Sequence, residues 1–368
     1  MELDIETELG SSHYRNISLL NSTAQPASSG FEFTDYRQRI AVSVMLLAIF
    51  LVGVIGNSLV LVAVAVSQKL QTSTNAFVVS LSVTDLFSCL GLPFQVVNVL
   101  STTGPLLPDA LCSIIGGIAI SSAIASVITL TLIAINRYVI ITTERRTYKR
   151  IFSTGKMTAM ILLLWVFILT TMVLTQIGFG TIGYTKKYKI CLIDGDSRYA
   201  LIYEYLSAFI LLTCFIIVVV AYGKIYRFLR QKMFLARTRI SNDGNQTTSF
   251  THQHSTSQTT LRHGRSSEAR EGNGPKMPSK REIQITRNLL YVVCGFFVSI
   301  VPYAIAVSIP NSGRVLVYIA LLLCASSIIN PIIYGFNHPH FRVVFRLLLR
   351  CDFDRIPEPS PFFRALRK

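Results

Sequence analysis

Apolar and polar residues in this chain are sorted into long blocks instead of being interleaved. Runs with few or no ionisable side chains cover 40–66, 75–100 (broken only by Asp85), 110–136, 157–185, 205–223, 288–313 and 315–341. Each is long enough to cross a hydrocarbon core about 30 Å thick as a helix of roughly 20 residues. The pattern predicts an all-α membrane protein, a bundle of seven transmembrane helices followed by a short amphipathic eighth helix in 338–350. Seven crossings put the two ends of the chain on opposite sides.

The totals agree with that pattern. Of 368 residues, 51% are hydrophobic and 15% charged, against about 25% charged in an ordinary soluble protein. With the amino terminus outside, 27 Lys and Arg fall in inner loops and 8 in outer ones. Basic loops stay in the cytoplasm, so that orientation is the expected one. The net charge of +16 is therefore a basic inner face. Its plainer reading is that it sets topology and meets anionic membrane lipid; nucleic-acid binding does not fit beside seven spans.

The segments between spans complete the expected order. Residues 1–38 form an extracellular tail carrying two glycosylation sequons, at Asn16 and Asn21. The tail has no apolar leader, so the first span is expected to double as the insertion signal. Residues 39–227 hold five spans with their loops, and 282–337 hold two more. Between them, 228–281 is rich in Ser, Thr, His and Gly, too polar to bury a core, and reads as a disordered third cytoplasmic loop. Its hydroxyl cluster suits phosphorylation by protein kinases; ordinary linker composition explains it equally well. Cys351 follows the amphipathic stretch and opens the cytoplasmic tail 351–368, where palmitoylation is expected, with a chance thiol as the alternative.

Two residues mark the third run. Arg137 ends it where a spanning helix would leave the bilayer, and Cys112 lies 25 residues earlier, roughly 37 Å away at helical rise. One helix thus joins both faces. Asp85 is the other informative position, because an ionisable group within a span usually faces a bundle interior or a water cavity.

Several motifs occur in order along these runs: Gly56-Asn57-Ser58-Leu59-Val60, Leu81-Ser82-Val83-Thr84-Asp85, Asn136-Arg137-Tyr138, Trp165, Tyr222, Pro302 and Asn330-Pro331-Ile332-Ile333-Tyr334. Together they resemble the rhodopsin-like G-protein-coupled receptors, over all seven spans and on to about Arg350. The stretches around Asn75, Asn136 and Tyr148 look like the melatonin receptors and the Moody-type group with its fatty-acid-sensing relative.

The resemblance implies a plasma-membrane receptor that binds an extracellular small-molecule ligand within the bundle and activates a heterotrimeric G protein. The switch residues would be Asn136, Arg137, Tyr138, Tyr222, Glu282, Asn330, Pro331 and Tyr334. Glu282 is the acid placed to hold Arg137 by a charge-assisted bond. Asn136 stands where the family commonly has a carboxylate, which should loosen the resting state. A disulfide between Cys112 and Cys191, both outside, would tie an outer loop to the third helix.

No cofactor is expected apart from a sodium ion as allosteric modulator at Asp85, Ser126 and Asn330; a hydrogen-bonded carboxylate is the structural alternative. The implied pocket is lined by Ala119, Ile120, Ala123, Tyr303, Ala304, Val307, Ala320 and Cys324, with Gln95, Asn98, Tyr203, Glu204 and Arg314 as polar groups near its mouth. Ala119 replaces the aspartate of amine receptors, so the cavity suits an apolar, lipid-like or indole-like ligand. Small residues that merely let helices approach are the alternative. Ile300 and Cys214 depart from the family's usual tryptophan and proline. No enzymatic pattern is present. A melatonin-type indoleamine receptor, a seven-helix transporter and a constitutive adhesion-type receptor are the competing readings.

Overall fold

The computed structural model describes residues 32–176, 182–193, 200–247, 279–309 and 313–366. Among the described residues seven helices are long and apolar enough to cross a membrane. In chain order they are α1 (Tyr36–Val66), α2 (Ser73–Leu100) and α3 (Asp109–Thr142), then, after a short α4 (Arg145–Ile151), α5 (Thr154–Gln176), α6 (Ala200–Thr247), α7 (Lys280–Ser308) and α8 (Gly313–Asn337). An antiparallel hairpin, β1 (Ile182–Thr185) with β2 (Ile190–Ile193), stands between α5 and α6. Helices α9 (Pro339–Leu349) and α10 (Pro361–Leu366) follow the bundle.

Local sequence explains the helix ends. Asp35 caps α1 by accepting from the N–H of Arg37 (2.9 Å) and Gln38 (3.3 Å), which satisfies donors with no partner inside the helix. Ser279 and Glu282 form a capping box on α7. Pro302 and Pro331 lie inside α7 and α8, and each removes one backbone bond, the usual origin of a helix bend.

The centre of the bundle is α3. Its buried residues, among them Leu130, Ile133 and Ala134, pack with Val60 and Ala63 of α1, Leu81 of α2, Val292 and Phe296 of α7 and Tyr334 of α8. Opposite faces are apolar but exposed, as at Leu163 and Leu169 of α5 and Phe209 and Leu212 of α6. Such faces suit hydrocarbon, where only fully hydrogen-bonded helices or closed barrels can span. A second cluster near the Cys112 end joins Leu46, Leu92, Val96 and Leu321, and Phe33 from before α1 inserts into it.

The expected third loop begins later than the sequence pattern placed it. Helix α6 continues to Thr247, well past position 228. Residues 228–239 contain strong helix formers and neither Gly nor Pro, and extending an existing helix requires no new nucleus. Of the remainder expected to be disordered, 279–281 form the cap and start of α7, and 248–278 lie outside the described residues, as do Asn16 and Asn21. The eighth helix is α9, packed through Phe341, Val344 and Phe345.

Candidate functional site

Helix α3 carries a functional group at each end. At one end Cys112 is disulfide-bonded to Cys191 of β2, with Cα atoms 5.2 Å apart. The hairpin lies tightly on α3, because a Cβ added at Gly116 would sit 2.5 Å from Ile182 Cγ2 and 3.2 Å from the Cys191 carbonyl. Gln95 of α2 fixes the same strand: its amide nitrogen donates to Cys191 O (2.9 Å), and its amide oxygen accepts from Cys191 N–H (2.8 Å). Asn98 contacts Cys191 Sγ at 3.1 Å and accepts from Leu106 N–H at 3.2 Å. These two amides hold the hairpin instead of standing free at a pocket mouth.

Arg39 lies beside them and was not singled out by its sequence context. It is buried, donates from Nε to Val99 O at 2.5 Å and from an η nitrogen to Ser101 O, and stacks on Tyr36. Its partners are the carbonyls that close α2, at the negative end of a helix dipole. Nearby Tyr184, at the end of the hairpin's first strand, has its phenol pushed up by burial, while the Arg39 guanidinium opposes the shift.

Below this end, Ala119, Ile120 and Ala123 of α3, Tyr303 and Ala304 of α7 and Ala320 and Cys324 of α8 are half-buried residues of three helices that pack together. The side chains of Val307, Tyr203 and Glu204 lie outside the described set, and Arg314 is exposed. A groove of about 500 Å³ opens elsewhere, between α1, α2 and α5, lined by Val64, Ala76, Ile161 and Trp165 among others.

Asp85 is buried midway along α2. It accepts from Asn330 Nδ2 at 2.7 Å and from Ser126 Oγ at 3.4 Å. Both partners are neutral, and two oxygens can accept about four hydrogen bonds. The set therefore has acceptor capacity for a monovalent cation, and its oxygen donors suit a hard ion such as sodium. Among the described residues no group of three or more His, Cys, Asp or Glu could hold a metal.

At the other end Arg137 is 7% exposed, and its Nε has no hydrogen-bond partner among the described residues. The hydroxyls of Tyr222 and Tyr334 are buried and likewise unpartnered, and both rings act electrostatically on the guanidinium. Tyr138 is covered by Lys224, whose Nζ is 5.5 Å from the ring centroid. Asn136 is fully buried and accepts from Thr74 Oγ1 at 2.9 Å, while its Nδ2 lies 3.4 Å from Tyr148 Oη. Its contacts thus run to α2 and α4.

Glu282 does not hold Arg137. Its carboxylate accepts from Ser279 N–H at 2.8 Å within the capping box, and its charge reaches Arg137 only through space. Pro331 meets α1 instead: a Cβ on Gly56 would lie 2.7 Å from Pro331 Cγ, so glycine permits that approach. In place of the family's tryptophan and proline, Ile300 and Cys214 are buried core residues beside Phe296.

Seven spanning helices, one of them a central rod with a disulfide at one end and a buried arginine at the other, define a receptor of the rhodopsin class. The chain belongs to that family: residues 56–334 match the family model for rhodopsin-family 7 transmembrane receptors. It is similar to the G-protein coupled receptor moody of Drosophila melanogaster, 26% identical over 94% of this chain and 56% of that protein. It is also similar to the 5-hydroxytryptamine receptor 1F of Cavia porcellus, 25% identical over 92% of this chain and all of that one. Squid rhodopsin shares the fold with a TM-score of 0.69 at 17% identity, covering 94% of this chain and 95% of its own. The chain spans about half the length of moody. It is a G-protein-coupled receptor by family, a multi-pass membrane protein of the plasma membrane and not an enzyme. The melatonin likeness rests on the motif residues alone.

Proposed function

We propose that the Cys112 end faces outward and admits an apolar small molecule, and that the Arg137 end faces the cytoplasm and catalyses nucleotide exchange on a heterotrimeric G protein. The observation that carries this reading is Arg137 itself, a buried guanidinium whose Nε has no hydrogen-bond partner among the described residues and which Glu282 reaches only through space. An uncompensated buried charge is costly, so an arrangement that offers it carbonyls or a partner helix gains stability. Ligand binding shifts the bundle toward that arrangement by its difference in affinity for the two states.

Ala119, Ile120, Ala123, Tyr303, Ala304, Val307, Ala320 and Cys324 line the ligand cavity in this reading, and the absence of an acid at Ala119 speaks against an amine. Sodium at Asp85, Ser126 and Asn330 favours the resting state. Arrestin and receptor kinases act on 248–278, glycans occupy Asn16 and Asn21, and an acyl chain on the exposed Cys351 anchors α9 to membrane lipid.

The test is a G-protein activation screen of lipids, fatty acids, indoleamines and short peptides on cells expressing the chain, with Arg137→Ala as the inactive control. A response that survives Arg137→Ala, or ligand potency unchanged by a bulky residue at Ala123, overturns the reading.

A further inference from the structure

Beyond α9 the chain turns back. After a 3-10 turn at Phe353–Arg355 it runs along the Arg137 end of α1, where Ser67 and Pro359 form an antiparallel bridge. Gln68 N–H donates to Glu358 O, and Ser360 N–H donates to Val66 O, both at 2.8 Å. Ser67 Oγ donates to Pro357 O at 3.0 Å, Lys69 pairs with Glu358 at 3.1 Å, and Ile356 is buried beneath. The last carbonyls of a helix have no partner within it. Here Ser360 supplies two of them, its N–H on Val66 O and its hydroxyl on Ala65 O at 2.6 Å, while Gln71 Nε2 donates to Val64 O at 3.1 Å and more distantly to Ala65 O at 3.3 Å. The returning segment is a cap for α1 delivered from the far end of the sequence.

Ser360 is fully buried, and its Oγ also accepts from Phe363 N–H at 3.1 Å. It stands in Pro357-Glu358-Pro359-Ser360-Pro361; alternate prolines favour an extended backbone once the segment is detached, whereas in the docked segment Glu358 is held at a φ of 50°. We propose that Ser360 is a gated phosphorylation site: a protein kinase specific for Ser-Pro modifies it only while residues 352–366 are detached, and the phosphate then bars their return. This rests on the cytoplasmic placement of the Arg137 end. The kinase transfers the γ-phosphoryl group of ATP to Oγ; the O–P bond forms, the anhydride bond breaks, ADP leaves, and the hydroxyl proton passes to the kinase's base. Phosphoserine brings a charge of about −1.5 to −2 against the negative end of a helix dipole. It also gives up the hydroxyl's bond to Ala65, so the pocket that accepts serine rejects its phosphate.

The experiment uses the full chain in nanodiscs of phosphatidylcholine and phosphatidylserine, treated with such a kinase and ATP, with Ser360 occupancy followed by mass spectrometry. A free peptide of residues 350–368 is the reference, and Lys69→Glu, at a half-buried position paired with Glu358, loosens the clasp. The expected initial rate for the intact chain is at least roughly tenfold below the peptide's, because modification waits on local opening, with Lys69→Glu in between. Hydrogen exchange at 64–70 should accelerate after modification. Equal rates for chain and peptide, an unmodified peptide, or unchanged protection of 64–70 each overturn the proposal. A carboxy-terminal epitope labelled on intact cells would instead overturn the orientation, independently of the kinase result.

Discussion

Thr74 and Asn136 are joined by a 2.9 Å hydrogen bond, with the threonine hydroxyl donating to the asparagine amide oxygen. The bond links α2 to the residue beside Arg137, and Tyr148 of α4 approaches the same amide. A carboxylate at 136 would keep Thr74, accept from Tyr148 and place a negative charge next to Arg137. Asn136→Asp is therefore expected to lower basal nucleotide exchange roughly fivefold, the effect of about 1 kcal/mol in favour of the resting state. Guanine-nucleotide exchange without agonist measures it; unchanged basal activity would remove Asn136 from the restraint.

Gln95 bonds both backbone groups of Cys191. Gln95→Leu leaves a buried N–H and a buried carbonyl unsatisfied, at about 1–3 kcal/mol for each. A lower melting temperature in detergent, with the disulfide intact by mass spectrometry, is the expected outcome. An unshifted melting curve would show that the disulfide alone seats the hairpin.

Arg39 spans two carbonyls with one planar fork. Lysine cannot reproduce that geometry, so Arg39→Lys should recover little of the stability lost in Arg39→Ala, about 2–3 kcal/mol. Thermal unfolding of the two variants side by side decides it, and full rescue by lysine would mean that charge alone matters.

Asp85 provides the ionic test. If sodium binds there, melting temperature rises with NaCl relative to choline chloride, as mass action requires for a ligand that prefers the folded state. Asp85→Asn should abolish the difference between the two salts, and a sodium effect that persists in the variant would place the ion elsewhere.

The seven helices were legible because a spanning helix must be apolar along its whole length, a demand composition reveals without tertiary knowledge. The pairing of Cys112 with Cys191 followed from the family resemblance and from their placement on one side. The hairpin is not legible because its strands are four residues each, the first closes the apolar run 157–185, and the connection Lys186-Lys187-Tyr188-Lys189 holds none of the usual turn residues. Ser279-Lys280-Arg281-Glu282 has the spacing of a capping box, a local signal that competes for the carboxylate the family resemblance places on Arg137. Arg39 and Ser360 were out of reach for another reason: their partners are backbone carbonyls 60 and 295 residues away, and a carbonyl has no sequence signature.

Helix α1 is fastened at both extremities, by Arg39 to the end of α2 and by Ser360 to the returning tail. A rod pinned twice serves as a stator, since tilting it would break one mooring or the other. Whatever motion uncovers Arg137 must then pivot against α1, so cutting the tail loose would loosen the frame before it touched the moving parts.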